Sequence, residues 1–260
     1  MRFAVVACAL ALAGCISDSP FPDTSGWRPL FNGRNLDGWT AHFADQAPGD
    51  ADATAMFCVE HGMIHAYCHA PPGVRVSTGF IQTDQDYGDV VIQLEYRWGV
   101  QKYAPRADQP RDSGLQYLNY GASNSWPRSV ENQIQEGDTG DVYALSTQVA
   151  STINPQNGGY LPAEQGGQAA TLGAFDQGKR IAHQRMNEVP GWNTVEVVLR
   201  GDSAVQVLNG VVVNRIHDIR QWDGQSWVRL DHGRVSIQAE AAEYYIRNVR
   251  VRAVNAYDPQ

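Results

Sequence analysis

The chain has 260 residues, of which 43% are hydrophobic, so it can bury the core of one large all-β domain or of two small ones. Its formal net charge of -8 argues against a nucleic acid or an anionic membrane surface as partner, because both bind a positive face. Seven Trp and eleven Tyr beside only 18% charged residues favour a neutral ligand such as a sugar, whose C–H faces pack on aromatic rings.

The first fifteen residues, "MRFAVVACALALAGC", are typical of an export signal, with Arg2, a short apolar stretch and a small-residue cleavage region. The apolar stretch is too short to cross a bilayer. It ends in "LAGC", which resembles the lipobox of bacterial lipoproteins, in which the cysteine becomes the lipidated first residue. The sequence therefore predicts a protein exported to the periplasm or outer membrane, anchored by lipid at Cys15, with a flexible tether over residues 16–26. An ordinary cleaved signal is the alternative.

Two further cysteines, Cys58 and Cys68, lie in the predicted folded part. An oxidising compartment would allow them to pair. A tight turn at Glu60 to Gly62, however, places Cys58 opposite His65, so that a bridge requires an offset register. The pattern favours two unpaired thiols, with the disulfide as the alternative.

Short alternating runs rich in Val, Ile and Tyr, punctuated by Gly, Pro and Asn-Gly, indicate an antiparallel β protein. The clearest predicted strands are Asp89–Trp98, Ser113–Gly121, Ser129–Glu136, Asn193–Gly201, Ala204–Ile216, Arg234–Glu240 and Tyr244–Val254. Within the fifth, Asn209-Gly210 is the strongest hairpin signal in the chain. Strands in this number with regular turns predict a sandwich or a barrel.

The segment from Ser151 to Gly191 differs from the rest, being polar and glycine-rich through "NPQNGGYLPAEQGGQAA". A loop of this length in a compact domain is more often functional than accidental. We expect it to form an excursion over one sheet. No internal repeat or second hydrophobic unit is present in the sequence, which favours a single domain over residues 27–256.

Three predicted strands carry polar side chains at alternate positions, which places them on one face of each strand. These sets are Gln93, Glu95 and Arg97; Glu131, Gln133 and Gln135; and Ser236, Gln238 and Glu240. A solvated face would give the same pattern in any single strand. Repeated Gln beside Glu, however, provides donors and acceptors at fixed positions, as hydroxyl-rich ligands require, and a curved sheet would bring them together in a groove.

Several motifs cover nearly the whole chain after the signal. In chain order they are "WRPLFNGRNLDGWT", "GFIQTDQDYGDVVIQLEYRW", "RDSGLQYLNYG", "WPRSVENQIQEGDTGD", "GWNTVEVV", "VLNGVVVN" and "VSIQAEAAEYYIRNVRV". Together they resemble the 3-keto-glycoside lyase/hydratase-like domain family of exported bacterial proteins. The resemblance implies a concanavalin-like jelly roll of two antiparallel sheets, with a sugar site on the concave sheet.

The resemblance also implies a substrate class, namely glycosides whose C3 hydroxyl has been oxidised to a ketone. The ketone makes the C2 proton acidic, so a base can remove it and expel the C1 substituent, after which water adds back. Two positions depart from the pattern. Leu118 follows "DSGLQY", where members of the family often carry histidine, which weakens a histidine base or ligand there. Glu240 stands where some members have histidine and others glutamate.

This chemistry requires a base near C2, donors or a metal at the C3 oxygen, and an acid near the glycosidic oxygen. Glu131 is the first candidate for the acid/base group, with Glu240 and Glu95 next. The predicted substrate-binding residues are Gln133, Gln135, Arg97, Trp126, Gln238 and His183. Among these, Trp126 is expected to stack on a sugar and His183 is a candidate mobile base in the long loop, although a surface histidine fits the pattern as well.

A divalent metal such as Ca²⁺ has weaker support. The acidic residues Glu136, Asp138 and Asp141 in "EGDTGD" supply hard oxygen ligands, but their spacing is not that of a loop cage. The seven histidines form no H-x-H or H-E-x-x-H pattern, so the sequence gives a zinc site no support.

Two other functions remain open at this level. One is a glycoside hydrolase that uses two carboxylates, with a stereochemical outcome set by their separation. The other is a non-catalytic carbohydrate-binding module with the same groove. If the enzyme interpretation holds, a sugar 3-dehydrogenase is the expected functional partner that supplies the ketone.

Overall fold

The structure is a computed structural model that describes residues 26–43, 56–121, 126–174 and 179–260. The predicted signal and Cys15 lie outside the described residues, as does the tether apart from its last residue. Within the described ranges, no helix has both the length and the apolar character needed to span a membrane.

The described strands form two antiparallel sheets, which pack against each other as an all-β, concanavalin-like jelly-roll sandwich. The larger sheet contains β1 (Arg28–Pro29), β3 (Phe57–Glu60), β4 (Met63–Ala66), β6 (Val90–Lys102), β10 (Gln148–Ile153), β11 (Gln168–Gly173), β13 (Asn193–Arg200), β14 (Ser203–Leu208), β15 (Val211–Trp222), β16 (Trp227–Arg229) and β18 (Ala242–Ala253). The smaller sheet contains β2 (Trp39–Phe43), β5 (Gly79–Thr83), β7 (Asp112–Tyr120), β8 (Arg128–Gln135), β9 (Val142–Leu145), β12 (Lys179–Ile181) and β17 (Arg234–Ala239).

The order of the strands in the smaller sheet is β12-β9-β8-β7-β17-β5-β2, and that of the larger sheet is β11-β10-β15-β14-β13-β6-β18-β4-β3, with β1 on β18 and β16 on β15. Each predicted strand corresponds to one of these strands, and the fifth is the hairpin of β14 and β15. Asn209 and Gly210 form its turn, both with positive φ, as a two-residue hairpin of this type requires.

The core lies between the two sheets. Ile92, Leu94 and Tyr96 of β6 and Leu115 of β7 are fully buried there, which confirms the predicted inward face of β6 at these positions. Alternate residues of each strand project to opposite faces, so the polar residues between them project away from the core. The hydrophobic effect therefore decides which face of each sheet remains available for a ligand.

Strand pairing in the smaller sheet brings two of the three predicted polar sets together. Glu131 of β8 lies opposite Gln116 of β7, and Gln116 lies opposite Ser236 of β17. Tyr143 of β9 lies opposite Glu131 on the other side. Because opposite residues of antiparallel strands project from the same face, these side chains form one polar surface on the side away from the core.

The third predicted set lies elsewhere. Glu95 and Arg97 belong to β6, which pairs with β13 and β18 in the larger sheet, so the expected groove of three strands is wrong for β6. The same alternation that turns Ile92 and Leu94 inward turns Glu95 and Arg97 to the outer face of the opposite layer. Periodicity identifies a face, but it does not identify the sheet to which that face belongs.

The long polar segment also differs from the expected excursion. β10 continues to Ile153, and two further strands, β11 and β12, follow within it. β11 pairs with β10 at one edge of the larger sheet, and β12 pairs with β9 at one edge of the smaller sheet. The segment therefore extends both sheets, because its backbone groups find partners along two edges that would otherwise be open.

The hairpin of β3 and β4 turns through His61 and Gly62, both with positive φ. Cys58 lies opposite His65, in the register expected from the sequence. A disulfide nevertheless joins Cys58 to Cys68, whose Cα atoms are 6.2 Å apart. The expectation of unpaired thiols is therefore wrong, because Cys68 lies beyond the end of β4, where the chain returns towards β3 and no strand register constrains it.

Candidate active site

An acidic cavity of about 250 Å³ opens on the polar face of the smaller sheet. Its lining residues are Trp126, Glu131, Gln133, Tyr143, Leu145, Gln238 and Glu240. Five of these residues were predicted as site residues from the sequence, and they come from β8, β17 and the segments beside these strands. The cavity therefore combines two candidate acid/base groups with amide, phenol and apolar side chains.

Glu131 forms part of the cavity floor and is only 5% exposed. Its Oε2 accepts hydrogen bonds from Gln238 Nε2 at 3.0 Å and from Gln116 Nε2 at 3.3 Å. Ser236 Oγ donates to Gln116 Oε1 at 2.7 Å, which fixes the orientation of the Gln116 amide. Among the described residues, no hydrogen bond reaches Glu131 Oε1, so this oxygen is available to a ligand.

The space occupied by the Glu131 carboxyl group depends on Gly114 of β7. A Cβ atom at position 114 would lie 2.6 Å from Glu131 Oε1 and 2.6 Å from Gln238 Oε1. Gly114 lies opposite Gln133 on the same face of the sheet. The glycine of the "RDSGLQY" motif thus allows two site side chains to lie directly over the strand.

Two further carboxyl groups, those of Glu240 and Asp112, lie close to Glu131. Arg106 Nη1 lies 3.1 Å from Glu240 Oε2, and Arg106 Nη2 donates to Asp112 Oδ2. Gln133 Nε2 donates to Asp112 Oδ1 at 2.9 Å. One guanidinium therefore holds Glu240 and Asp112 together, while Glu131 is bound only by neutral amides.

These surroundings change the pKa values of all three carboxyl groups. Burial, and then the charges of Glu240 and Asp112, raise the pKa of Glu131 well above its ordinary value, although hydrogen bonds from amides oppose this. Burial and then the charge of Glu240 raise the pKa of Asp112 to about 8, against the lowering effect of Arg106. Burial likewise raises the pKa of Glu240, opposed by Arg106. The cluster therefore keeps its protons to higher pH than ordinary carboxyl groups do, which suits proton transfer.

Two buried amide side chains line the cavity. Gln133 is 6% exposed and Gln238 is 2% exposed, and the Nε2 group of each is used within the protein. The Oε1 atoms of both are buried and lack a hydrogen-bond partner among the described residues. A buried acceptor without a partner is costly, and a sugar hydroxyl in the cavity would satisfy it.

An apolar wall faces these amides. The ring of Trp126 stacks with that of Phe80, their centroids 6.2 Å apart, and the ring of His42 stacks with Phe80 at 4.8 Å. Leu145 lines the cavity as well. The arrangement supports the predicted stacking role of Trp126, because pyranose rings have apolar faces that pack on such walls.

The turn between β17 and β18 positions Glu240. Tyr67 Oη accepts a hydrogen bond from Ala241 N at 2.9 Å and lies 2.9 Å from the Ala239 carbonyl oxygen, to which it can donate. Tyr67 is only 3% exposed. Ala241 has a φ of 61°, so this tyrosine stabilises a backbone conformation that alanine seldom adopts.

Glu95 and Arg97, in contrast, form a separate cluster on the larger sheet. Glu95 accepts hydrogen bonds from Arg247 Nε at 2.7 Å and from Asn248 Nδ2 at 2.8 Å. Burial acts to raise the pKa of Glu95, but these bonds and the arginine charges bring it below its ordinary value. The guanidinium of Arg97 lies 4.4 Å from the Tyr245 ring centroid. Neither residue lines the acidic cavity.

His183 is held in place rather than mobile. Its Nδ1 lies 2.6 Å from Asp141 Oδ1, and its backbone N–H donates to the same oxygen at 2.7 Å. Asp141 is fully buried, and it also accepts from Arg180 Nε. His183 does not line the acidic cavity, and its ring is bound to Asp141 just beyond β12, so its role as a base stays a prediction.

Two of the three predicted metal ligands meet here. Asp138, Asp141 and His183 offer ligand atoms within 4.8 Å of one another, whereas Glu136 pairs with Arg111. Arg180 binds both aspartates, and its Nη2 donates to Asp138 Oδ1 at 2.9 Å. The group does not fit a cation, because a guanidinium already neutralises its carboxylates.

Gln135 links this group to the cavity. Its Oε1 accepts from Gln133 Nε2 at 3.3 Å, and its Nε2 donates to Asp138 Oδ2 at 3.3 Å. Gln135 does not line the cavity itself. Gln135 orients the side chain of Gln133 through this hydrogen bond. The structure therefore places it behind a cavity residue, where the sequence predicted direct contact with substrate.

Sequence reasoning missed Asp112 and Arg106. Asp112 lies within "RDSGLQY" and opposite Gln135, so the hairpin of β7 and β8 could have placed it on the polar face. Arg106 lies in the loop after β6, which connects the two sheets. No local pattern marks it, because its contact with Glu240 depends on the tertiary fold.

Several solved structures resemble this chain along most of their length. A candidate glycosyl hydrolase of Parabacteroides distasonis ATCC 8503 is 17% identical with a TM-score of 0.53, covering 89% of this chain and 95% of that one. A second from the same organism is 16% identical with a TM-score of 0.49, over 88% and 99%. A β-glucanase of Bacillus licheniformis is 10% identical with a TM-score of 0.47, over 88% and 97%.

The chain thus forms a jelly-roll sandwich with an acidic cavity on its smaller sheet, and its family match makes it a carbohydrate-active domain. Residues 26–252 match the family of 3-keto-alpha-glucoside-1,2-lyase-like domains, and the chain belongs to this family. No curated protein matches the chain.

Proposed function

We propose that the protein cleaves 3-keto-glycosides by elimination followed by hydration. The observation that carries the proposal is the acidic cavity, whose lining residues Glu131 and Glu240 lie close to buried Asp112. All three carboxyl groups have raised pKa values, and two amide acceptors beside them lack partners among the described residues. The family, named for lyases of 3-keto-alpha-glucosides, supplies the substrate class. Proton transfer at neutral pH and binding of hydroxyl groups are the two capabilities that this reaction requires.

In the proposed reaction, Glu131 in its ionised form removes the proton from C2. The electron pair of the C–H bond passes through the enolate of the C3 ketone and forms the C1=C2 double bond, while the C1–O bond breaks. The leaving oxygen receives a proton, for which Glu240 is the candidate donor. Water then adds across the double bond, with its hydroxyl at C1 and its proton at C2, which completes a net hydrolysis.

The remaining cavity residues bind and orient the sugar. Gln133 and Gln238 accept hydrogen bonds from hydroxyl groups through Oε1, and Trp126 packs on a ring face. Arg106 forms ion pairs with both Asp112 and Glu240. Its positive charge offsets part of their negative charge, which makes ionisation of the neighbouring Glu131 less unfavourable.

Incubation of the purified protein with a 3-keto-disaccharide and with its unoxidised parent tests the proposal. We expect release of free sugar from the ketone only, with incorporation of deuterium at C2 in D₂O. Equal cleavage of both sugars would instead support a two-carboxylate hydrolase. Binding of both without cleavage would support a carbohydrate-binding module. A parallel reaction with chelator is expected to proceed unchanged, because Arg180 occupies the aspartates that could bind a metal.

We propose further that the protein acts outside the cytoplasm, anchored by lipid at Cys15, and that a sugar 3-dehydrogenase supplies its substrate. The "LAGC" motif supports the anchor, and the need for a ketone at C3 supports the partner. Replacement of Cys15 by serine is expected to release the protein from the membrane fraction. Retention of that variant in the membrane fraction would contradict the anchor.

A further inference from the structure

We propose that a second cavity on the smaller sheet is a subsite for an additional, unoxidised sugar ring of the substrate. This proposal rests on the proposed function in taking the ligand to be a glycoside. The cavity has a volume of about 270 Å³, and Gln82, Asn119, Gln221 and Arg234 are among its lining residues. The lining includes uncharged amide side chains and the charged side chain of Arg234. This cavity and the acidic cavity have no lining residue in common.

The two cavities lie on the same face of the sheet. Arg234 of β17 lines the second cavity, and Gln238 on the same strand lines the acidic one together with Glu240 beyond its end. Residues two apart in a strand project from the same face, and each residue adds about 3.3 Å, so Arg234 and Glu240 lie about 20 Å apart along the chain. This length allows one glycoside to occupy adjacent positions from one cavity to the other.

The second cavity contains its own acceptor without a partner. Asn119 is 5% exposed, and its Nδ2 donates to Ser236 Oγ at 2.8 Å and to Gln82 Oε1 at 3.1 Å. These bonds fix the amide so that Oδ1 is the remaining acceptor. Asn119 Oδ1 is buried and has no hydrogen-bond partner among the described residues. A hydroxyl group would satisfy this atom, whereas an anion would not, which favours a neutral sugar ring.

A continuous hydrogen-bond network connects this acceptor to the acid/base group. Asn119 donates to Ser236, Ser236 donates to Gln116 Oε1, and Gln116 Nε2 donates to Glu131 Oε2 at 3.3 Å. All four side chains are buried. The network therefore sets the positions of polar groups in both cavities together, as expected for two parts of one binding groove.

Calorimetric titration with unoxidised gluco-oligosaccharides of one to five units, in α- and β-linked series, tests the subsite. We expect the best oligosaccharide to bind at least about 10-fold more tightly than glucose, since one or two added hydrogen bonds suffice for this difference. Gln221→Ala and Arg234→Ala are expected to remove most of that gain in affinity for the oligosaccharide. Gln225→Ala is the matched control, because this exposed residue lies in the same hairpin and does not line the cavity.

Equal affinity for glucose and for every oligosaccharide would overturn the proposal, and so would a gain that survives both cavity variants. The ligands carry no ketone, so the titration does not depend on the cleavage reaction. If the cleavage experiment fails while the length dependence and its loss in the variants persist, the proposed chemistry is wrong and the subsite stands.

Discussion

At the scale of single residues, the candidate site combines a buried carboxyl group with neutral hydrogen-bond donors. Glu131 receives only amide donors, whereas Asp112 and Glu240 share Arg106. Desolvation of Glu131 is therefore not compensated by an adjacent cation in contact with it, and the pKa of this carboxyl group rises. Such a group is unfavourable for stability and useful for proton transfer.

The pH dependence of the reaction follows from this difference. A general base is active when ionised and a general acid when protonated. We therefore expect kcat/KM to rise with pH through the raised pKa of Glu131, well above pH 4.5, and to fall again as Glu240 loses its proton. Glu131→Gln is expected to reduce kcat by at least about 100-fold at every pH. Steady-state rates on a 3-keto-disaccharide between pH 4 and 9 provide the measurement. An unchanged rate in the variant would remove Glu131 from the mechanism.

The same substitution is expected to stabilise the fold. Because the folded pKa of Glu131 is raised, the native state holds more protons than the unfolded state above about pH 4.3, and stability falls as pH rises towards the folded pKa. Glutamine carries no charge, so Glu131→Gln should raise the free energy of unfolding by about 1 kcal/mol or more at pH 8 and leave it unchanged near pH 3. Urea denaturation at the two pH values measures the difference. A destabilised variant at pH 8 would contradict the buried charge.

Gly114 offers a test of geometry without a change of charge. An alanine Cβ would come within 2.6 Å of Glu131 Oε1 and Gln238 Oε1, which are the ends of side chains rather than backbone. We expect Gly114→Ala to displace both side chains, lowering kcat/KM by at least about 10-fold with a change in stability below about 2 kcal/mol. Gly159→Ala is the control, since its Cβ would meet its nearest atom at 3.3 Å in a segment away from the cavity. Equal activity in both variants would contradict the proposed position of the carboxyl group.

At the scale of elements, hairpin pairing assembles the site. The register of β7 with β8 places Gly114 opposite Gln133 and Gln116 opposite Glu131, and β17 on the other side of β7 adds Ser236 and Gln238. The alternation within each strand could be predicted from sequence because inward residues are apolar. The pairing of β17 with β7 could not, because these strands are separated by more than a hundred residues.

The turn after β17 has its own support. Tyr67→Phe removes the hydroxyl that accepts from Ala241 N, so the turn that holds Glu240 should lose order. We expect a loss of about 1–2 kcal/mol in the free energy of unfolding and a reduction of kcat. Tyr103→Phe serves for comparison, because its hydroxyl donates to Ala70 O rather than to this turn. We expect both variants to lose similar stability and only Tyr67→Phe to have a reduced kcat. Equal kcat values in the two variants would exclude the positioning role of Tyr67.

At the scale of the whole molecule, the two sheets have different tasks. The larger sheet supplies most of the strands and carries ion pairs and cation–π contacts on its outer face, among them Glu95 with Arg247 and Arg97 with Tyr245. The smaller sheet carries the acidic cavity and the second cavity. Stability and chemistry can therefore be changed separately.

The disulfide tests this separation. Cys58 and Cys68 are ten residues apart, and closure of a loop of that size is worth about 2–3 kcal/mol on entropic grounds. The Cys58→Ser, Cys68→Ser double variant should lose about this amount in denaturation experiments and retain its kcat, because neither cysteine lines the acidic cavity. The wild type under reducing conditions is the control. A loss of kcat at temperatures where the variant stays folded would show that the sheets are coupled.

The sequence by itself determined the all-β class, the inward faces of the strands and the identity of the candidate residues Glu131, Gln133, Gln238 and Glu240, since burial of apolar side chains imposes a period of two on each strand. Only the tertiary structure decided which of the polar faces meet. It assigned Glu95 and Arg97 to the opposite sheet, brought Arg106 and Asp112 to Glu240, and fixed His183 against Asp141. Contacts of this kind join residues distant in the chain, so no local pattern records them.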